Sequence, residues 1–190
     1  MSDFLRAVNE ALALDTTGPM HGLKPPGGLL WCEPPEAADL PVSSARYTMS
    51  RLLVTCPACI EAMPPARIIV CGSRHARRSH SVTIQHNMAG FPRGSIITHG
   101  WADGVDSLAD GLANYLGYRV ERWPVDWTAA RRILGERWRL AGPLRNAWMF
   151  HAAPTDLVLA FPMPGSKGTR DMIKQARAAG VPVRVVELQP

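Results

Sequence analysis

The sequence predicts an α/β fold, a Rossmann-like doubly wound parallel sheet preceded by an irregular amino-terminal module. From Arg67 to Val186, short β-rich runs alternate with helical patterns in the order β-α-β-α-β-α-β-α-β. Strands that alternate with helices form parallel sheets whose faces are covered by those helices. Residues 16–65 instead lack periodicity and are rich in proline and glycine. We therefore predict a helix at 1–15, a separate module at 16–65 and an α/β domain at 66–190.

The composition and net charge of the chain indicate which kinds of ligand it can bind. The chain has 190 residues, is 46% hydrophobic and carries a formal net charge of +5. This balance favours anionic ligands, either nucleotides or nucleic acid, without choosing between them. The sequence contains no apolar run of about 18 residues and no signal-peptide pattern. We therefore expect a cytoplasmic protein that makes no membrane contact.

The first residues have the pattern of a short amphipathic helix. Ser2 suits the N-cap, and Leu5, Val8 and Leu12 recur at helical spacing. We predict that this helix packs on the main domain, and a partner-binding arm is the alternative.

The irregular module contains a candidate zinc site. Cys56 and Cys59 stand two residues apart around Pro57-Ala58, the spacing of a knuckle that holds one tetrahedral zinc ion. Cys32 is the natural third ligand and His21 the fourth, and a fully protein-ligated ion of this kind is structural. Free thiols or a redox Cys-x-x-Cys pair are the alternatives. The knuckle and the two residues before it resemble the end of small zinc modules in actinobacterial and phage proteins.

The first strand of the α/β domain predicts an anion site where it ends. It begins at Arg67 and is followed by Cys71, Gly72, Ser73 and then Arg74. Small residues at the carboxyl end of a buried strand expose backbone N–H groups and let a phosphate approach. The basic run that continues to His80 is either a solvated loop or part of this phosphate site.

The second strand also ends in residues that suit a ligand. It runs from Gly94 to His99 and is ended by Gly100. The segment Trp101–Ala109 then opens an amphipathic helix that Gly117 ends. Asp103 and Asp106 lie near the start of this helix, where acidic residues stabilise the helix dipole. Their carboxylates are also suited to hold ribose hydroxyls.

The other elements complete the alternation. They are, in order, a short helix at Ser81–Met88, a third strand at Tyr118–Trp123, an Arg-rich helix at Thr128–Leu140, a helix from Leu144, a fourth strand at Asp156–Phe161, a Gly-rich loop at Pro162–Thr169, a helix to Ala179 and a last strand at Val181–Val186. Ala141-Gly142-Pro143 is predicted to separate the Arg-rich helix from the helix that begins at Leu144. The Gly-rich loop is a second candidate cradle for phosphate.

Several short motifs follow one another across residues 67–186. They are Val70-Cys71-Gly72-Ser73-Arg74, His99-Gly100, Asp126-Trp127, the run from Ala141 to Asn146 with Met149, Asp156 to Phe161, Gly168-Thr169 with Asp171-Met172-Ile173, and Val183 to Val186. In this order they resemble the YspA-like branch of the SLOG superfamily. That superfamily also contains the DNA-processing protein DprA and the Lonely Guy phosphoribohydrolases.

The resemblance implies a nucleotide-type ligand at the carboxyl edge of the sheet. The residues predicted to bind it are Gly72, Ser73, Arg74, Gly100, Trp101, Asp103, Asp106, Arg145, Asn146, Gly165, Ser166, Gly168 and Thr169. Trp101 stands where the superfamily has glycine, so it would stack on a base or narrow the pocket. Met172 replaces the glutamate of the phosphoribohydrolases, and Asp171 beside it is typical of the YspA-like branch.

Three functions agree with these observations. The first is a sensor or sequestering module that binds a nucleotide or a nucleotide-derived ligand. The second is an enzyme that hydrolyses an N-glycosidic bond of a nucleotide, with Arg145, Asp106 and Asp171 as catalytic candidates. The third is DprA-like binding of nucleic acid, favoured by the arginines of residues 131–139. Relatives in the superfamily often form dimers, so a homo-oligomer is a further expectation.

Overall fold

The computed structural model describes the backbone of residues 20–22 and 46–48 and the whole of residues 60 and 62–190. The chain separates into two compact units, Met1–Pro64 and Pro65–Pro190. In the first unit, β1 (Met20–Gly22) pairs in parallel with β2 (Arg46–Thr48).

Two predictions lie outside the described residues. One is the helix at 1–15, and the other is the zinc site, since Cys32, Cys56, Cys59 and the side chain of His21 are not described. Both remain predictions.

The second unit contains the α/β domain. Its strands are β3 (Arg67–Gly72), β4 (Ile96–His99), β5 (Arg119–Arg122), β6 (Leu157–Phe161) and β7 (Val183–Val185). Its helices are α1 (Ser81–Met88), α2 (Val105–Tyr115), α3 (Trp127–Leu134), α4 (Ala141–Ala152) and α5 (Lys167–Ala178), with short 3-10 helices at Arg78–His80 and Gly135–Leu140. The five strands are parallel and lie in the order β5-β4-β3-β6-β7. The predicted parallel α/β sheet is therefore confirmed.

The two central strands carry the core. Ile68, Ile69 and Val70 of β3 are buried, as is every residue of β6. Strands read as continuous apolar runs when helices cover both faces of the sheet. From β3 the chain moves outward through β4 to β5, and it later returns to β6 on the other side of β3. The order of the strands thus reverses between β3 and β6, which is where open α/β sheets bind their ligands.

Two boundaries differ from the prediction. The Arg-rich helix ends at Leu134, because Gly135 has a positive φ of 55° and a 3-10 helix follows it. Helix α4 begins at Ala141, so Gly142 and Pro143 belong to its first turn instead of interrupting the chain. Proline is tolerated there because N–H groups of the first turn have no partner inside the helix.

A buried arginine joins three elements at the other end of β3. The Arg67 guanidinium donates hydrogen bonds to Glu121 on β5 at 2.9 and 3.1 Å and to the Met149 carbonyl on α4 at 2.9 Å. It also bonds the Ala153 carbonyl and the Thr155 hydroxyl just after that helix. Because its donors bond carbonyls near the end of α4, Arg67 fixes the position of that helix relative to the sheet.

No helix in the described part of the chain is long and apolar enough to cross a bilayer.

Candidate functional site

The carboxyl ends of β3 and β6 open into a cavity of about 940 Å³. Its walls come from the segment after β3, the start of α2, the segment from α3 to α4, and the loop between β6 and α5. Most of the predicted ligand residues line it: Gly72, Ser73, Arg74, Asp106, Arg145, Asn146, Gly165, Ser166, Gly168 and Thr169. Asp171 also lines it, whereas Gly100, Trp101 and Asp103 do not.

Backbone hydrogen bonds hold the segment after β3 in place. The Ser73 N–H donates to the Phe161 carbonyl at 3.0 Å, and the Ser73 carbonyl accepts the Val105 N–H at 3.1 Å. A Cβ on Gly72 would overlap the Val105 side chain and the Phe161 carbonyl. Glycine is therefore required here so that α2 can pack against the end of β3, before any ligand is considered.

Asp106 is a buried carboxyl group on the cavity wall. Its side chain is 6% exposed, and its Oδ2 accepts the Ala102 N–H at 3.2 Å. Burial raises its pKa to about 6, although this N–H and the Arg145 charge oppose the shift. A carboxyl group that exchanges its proton near neutral pH is suited to general acid or base chemistry.

Arg145 is fixed by contacts with its neighbours. Its Nη1 donates to the Trp123 carbonyl at 2.7 Å, and its Nε donates to the Asn146 Oδ1 at 3.1 Å. A Cβ on Gly100 would overlap the guanidinium. Gly100 therefore leaves the space that Arg145 occupies, although Gly100 itself is not part of the cavity wall.

Trp101 makes its contacts away from the cavity. Its ring stacks on His99 with a centroid distance of 5.8 Å, and the Arg122 guanidinium lies 4.8 Å from the Trp101 centroid. The Trp101 N–H also donates to His99 Nδ1 at 3.2 Å, and the ring is 49% exposed. These contacts explain why an aromatic residue stands at position 101, and they do not require that its ring stacks on a base of a ligand.

Asp171 is held by two amide groups. Its Oδ2 accepts the Asn146 Nδ2–H at 3.0 Å and the Gln175 Nε2–H at 2.8 Å. The bond from Asn146 joins α4 to α5. Met172 is 1% exposed and packs in the core with Ile69 and other apolar side chains. Met172 is thus a core side chain that also contributes to the cavity wall.

The loop after β6 presents open backbone to the cavity. Gly165 has a positive φ of 85°, and a Cβ on Gly165 or Gly168 would meet no atom within 4 Å. Helix α5 begins at Lys167, and the first N–H groups of a helix have no partner within it. Such N–H groups, with the helix dipole, attract phosphate.

Sequence reasoning missed the aromatic part of the cavity wall. Trp127, Arg131, Trp138 and Arg139 all line the cavity. The arginines were identified as a basic segment, but no tryptophan there was assigned to the site. The available signal was the spacing, since Trp127 and Arg131 are four residues apart and therefore share a helix face.

The cavity wall has an excess of positive charge. Five cationic side chains line it, against two carboxylates: Arg74, Arg131, Arg139, Arg145 and Lys167, against Asp106 and Asp171. The Cys71 thiol also lies on the wall, and burial raises its pKa, so it is protonated at neutral pH and unsuited to nucleophilic attack. The arrangement can bind an anion, and Asp106 is its best-placed titratable group.

Comparisons with protein families and solved structures give no more than weak matches to this chain. No protein-family profile matches the chain. Two solved structures have a TM-score of 0.37 with it: the C-terminal domain of the PF1911 hydrogenase of Pyrococcus furiosus and the DNA processing protein A (DprA) of Streptococcus pneumoniae. The hydrogenase domain is 15% identical, and the match covers 65% of this chain and 94% of that domain. DprA is 16% identical, and the match covers 63% of this chain and 58% of DprA. Likenesses this weak do not establish a shared fold or function.

The relationship in sequence is stronger. Over 119 residues the chain is 34% identical to the Gene 61 protein of Mycobacterium phage D29, and the match covers 62% of this chain and 93% of that protein. The chain therefore belongs to the same family as the Gene 61 protein of Mycobacterium phage D29.

Proposed function

We propose that the 65–190 unit binds a nucleotide or a nucleotide-derived ligand in this cavity, as a sensor or sequestering module of the YspA-like branch of the SLOG superfamily. The observation that carries the proposal is the position of the cavity. It lies at the carboxyl ends of β3 and β6, where the strand order reverses, and its wall has an excess of cations. Ligands of doubly wound sheets bind at such reversals.

Three groups on the wall suit a phosphate. Arg74 follows the end of β3, Arg145 lies on α4, and the start of α5 contributes backbone N–H groups around Gly168. Arginine binds phosphate through parallel charge-assisted hydrogen bonds, and helix N–H groups add further donors. Glycine at 165 and 168 keeps the approach to these donors open.

Replacing Arg74 by glutamine is expected to weaken the binding of adenosine monophosphate about tenfold, because a charge-assisted hydrogen bond to phosphate contributes roughly 1.5–3 kcal/mol and Arg74 is exposed to solvent. Isothermal titration calorimetry at fixed salt measures this change. Arg78→Gln is the matched control, since Arg78 is also exposed, lies four residues away and does not line the cavity. Equal losses in both variants, or no binding of any common nucleoside monophosphate by the unmodified protein, would contradict the proposal.

Hydrolysis of an N-glycosidic bond is the second candidate function. The observation that favours it is Asp106, which lines the cavity with a pKa raised to about 6 by burial. A carboxyl group with that pKa can donate a proton to a departing base and stabilise an oxocarbenium-like transition state when ionised. Release of free base from nucleoside monophosphates, followed by chromatography, separates an enzyme from a binding module.

We also propose a structural zinc site in the first unit, formed by His21, Cys32, Cys56 and Cys59. Cys56→Ser is expected to release one zinc ion per chain, because a tetrahedral site loses a ligand that it cannot replace. Metal analysis of the purified variant measures this loss, and the thermal transition of the 65–190 unit should persist. Retention of stoichiometric zinc would exclude Cys56 as a ligand.

A further inference from the structure

We infer that the ligand carries two anionic groups at separate ends, the second held by Arg131 and Arg139 beside Trp138. This inference rests on the proposed function and narrows its ligand to nucleotides with phosphates at two positions. A nucleoside 3′,5′-bisphosphate is the smallest member of this class, and a dinucleotide is a larger one.

A cluster on α3 and the 3-10 helix after it provides the second group of cations. The guanidinium carbons of Arg131 and Arg139 each lie 4.5 Å from the centroid of the Trp138 ring. The Trp127 ring packs edge-on against the same ring at 5.7 Å. Stacking holds a guanidinium by its face and leaves the N–H groups on its edge available to an anion.

Within the part of the chain that the structure describes, no carboxylate pairs with these two arginines. Among the described residues, neither Arg131 nor Arg139 forms an ion pair, although both line the cavity and both are exposed. Arg122, in contrast, is paired with Asp110 at 2.6 Å. Two unpaired cations on the wall of a cavity are a site for an anion.

This cluster comes from other elements than the cations near the sheet. Burial lowers the pKa of Arg145, the charge of Asp106 opposes this shift, and the charge of Arg74 adds to it, so Arg74 and Arg145 act together. Arg74 follows β3 and Arg145 lies on α4, whereas Arg131 lies on α3 and Arg139 on the 3-10 helix after it. A single phosphate would leave one of the two groups of cations without its anion.

The size of the cavity agrees with a ligand longer than a nucleoside monophosphate. Its volume is about 940 Å³, near the upper end of the range of about 300–1,000 Å³ for small-molecule sites. Trp127 lines the same cavity, and tryptophan rings favour stacking with a planar base.

The experiment compares three ligands by calorimetry on the full chain: adenosine monophosphate, adenosine diphosphate and adenosine 3′,5′-bisphosphate. The last two both carry a second phosphate group, but only the bisphosphate has its phosphates at opposite ends of the ribose. We expect the bisphosphate to bind at least about tenfold tighter than the monophosphate, because one charge-assisted hydrogen bond contributes about that much. The bisphosphate should also bind tighter than the diphosphate.

Two double variants then locate the second contact. Arg131→Gln with Arg139→Gln should abolish the preference for the bisphosphate, because the variant should lose far more affinity for the bisphosphate than for the monophosphate. Arg132→Gln with Arg137→Gln removes the same charge from exposed positions of the same segment that do not line the cavity, so it should keep the preference.

The possible results separate this inference from the function on which it rests. The inference would be overturned if the monophosphate and the bisphosphate bound with equal affinity, or if the diphosphate gained as much affinity as the bisphosphate. The proposed nucleotide-binding site would stand in both cases. Absence of binding to all three ligands would overturn both. Binding of a single-stranded oligonucleotide that both double variants weaken equally would assign the arginines to a nucleic-acid surface and overturn the inference.

Discussion

Replacing Arg67 by methionine is expected to lower the free energy of unfolding by about 3–5 kcal/mol, a large fraction of the roughly 5–15 kcal/mol that stabilises a domain. The guanidinium is 6% exposed. Its removal leaves the Met149 and Ala153 carbonyls without this donor. A buried acceptor that loses its partner keeps the full penalty of its desolvation.

Urea unfolding monitored by circular dichroism measures this loss. Glu121→Gln is the control, because it removes the charge that faces Arg67 but leaves the carbonyl contacts in place. Glu121 is 40% exposed in the pair, and glutamine keeps an oxygen that accepts from Arg67, so this change should cost less than the loss of the guanidinium. If the two variants lose the same stability, the ion pair and not the buried network holds α4 against the sheet.

The second large effect is a dependence of stability on pH that originates at Asp106. Its pKa rises from 3.8 to about 6 in the folded protein. Since the folded state binds this proton more tightly than the unfolded chain, the contribution is fully present below about pH 4 and is lost as the pH rises through 6. A shift of this size is equivalent to about 3 kcal/mol.

The measurement is the difference in unfolding free energy between the unmodified protein and Asp106→Asn, from about pH 4 to pH 7. Asparagine still offers a carbonyl oxygen to the Ala102 N–H and does not titrate. We expect the unmodified protein to lose roughly 2.4 kcal/mol relative to the variant across this range. His99, Asp110 and Glu121, whose pKa values are lowered, are present in both proteins and cancel. A difference that does not change with pH would show that Asp106 keeps its ordinary pKa.

These two residues also mark how far sequence reasoning reached. Asp106 was predicted as a ligand residue from its place near the start of a helix, and the structure adds that it is buried on the cavity wall. Arg67 was assigned only as the first residue of a strand. Its partners are more than 50 residues away in the chain, and no local pattern records a contact of that kind.

The sequence by itself determined the parallel sheet, its central apolar strands and the two loops that follow β3 and β6. These features are local, because strand and helix periodicity and the positions of glycine depend on neighbouring residues. It also placed Ser73, Arg74 and Gly168 at one edge, because the carboxyl ends of parallel strands lie together.

Only the tertiary structure decided which aromatic side chains face the cavity. Trp101 follows a strand end, as a ligand residue would, yet its positive φ of 56° and its contacts with His99 and Arg122 keep it outside the cavity wall. Trp127 and Trp138 lie far from any glycine-rich loop in sequence, yet both line the cavity. The spacing of Trp127 and Arg131 places them on one face of a helix. Which part of the molecule that face meets depends on packing between segments that are distant in the chain, and the local pattern does not specify it.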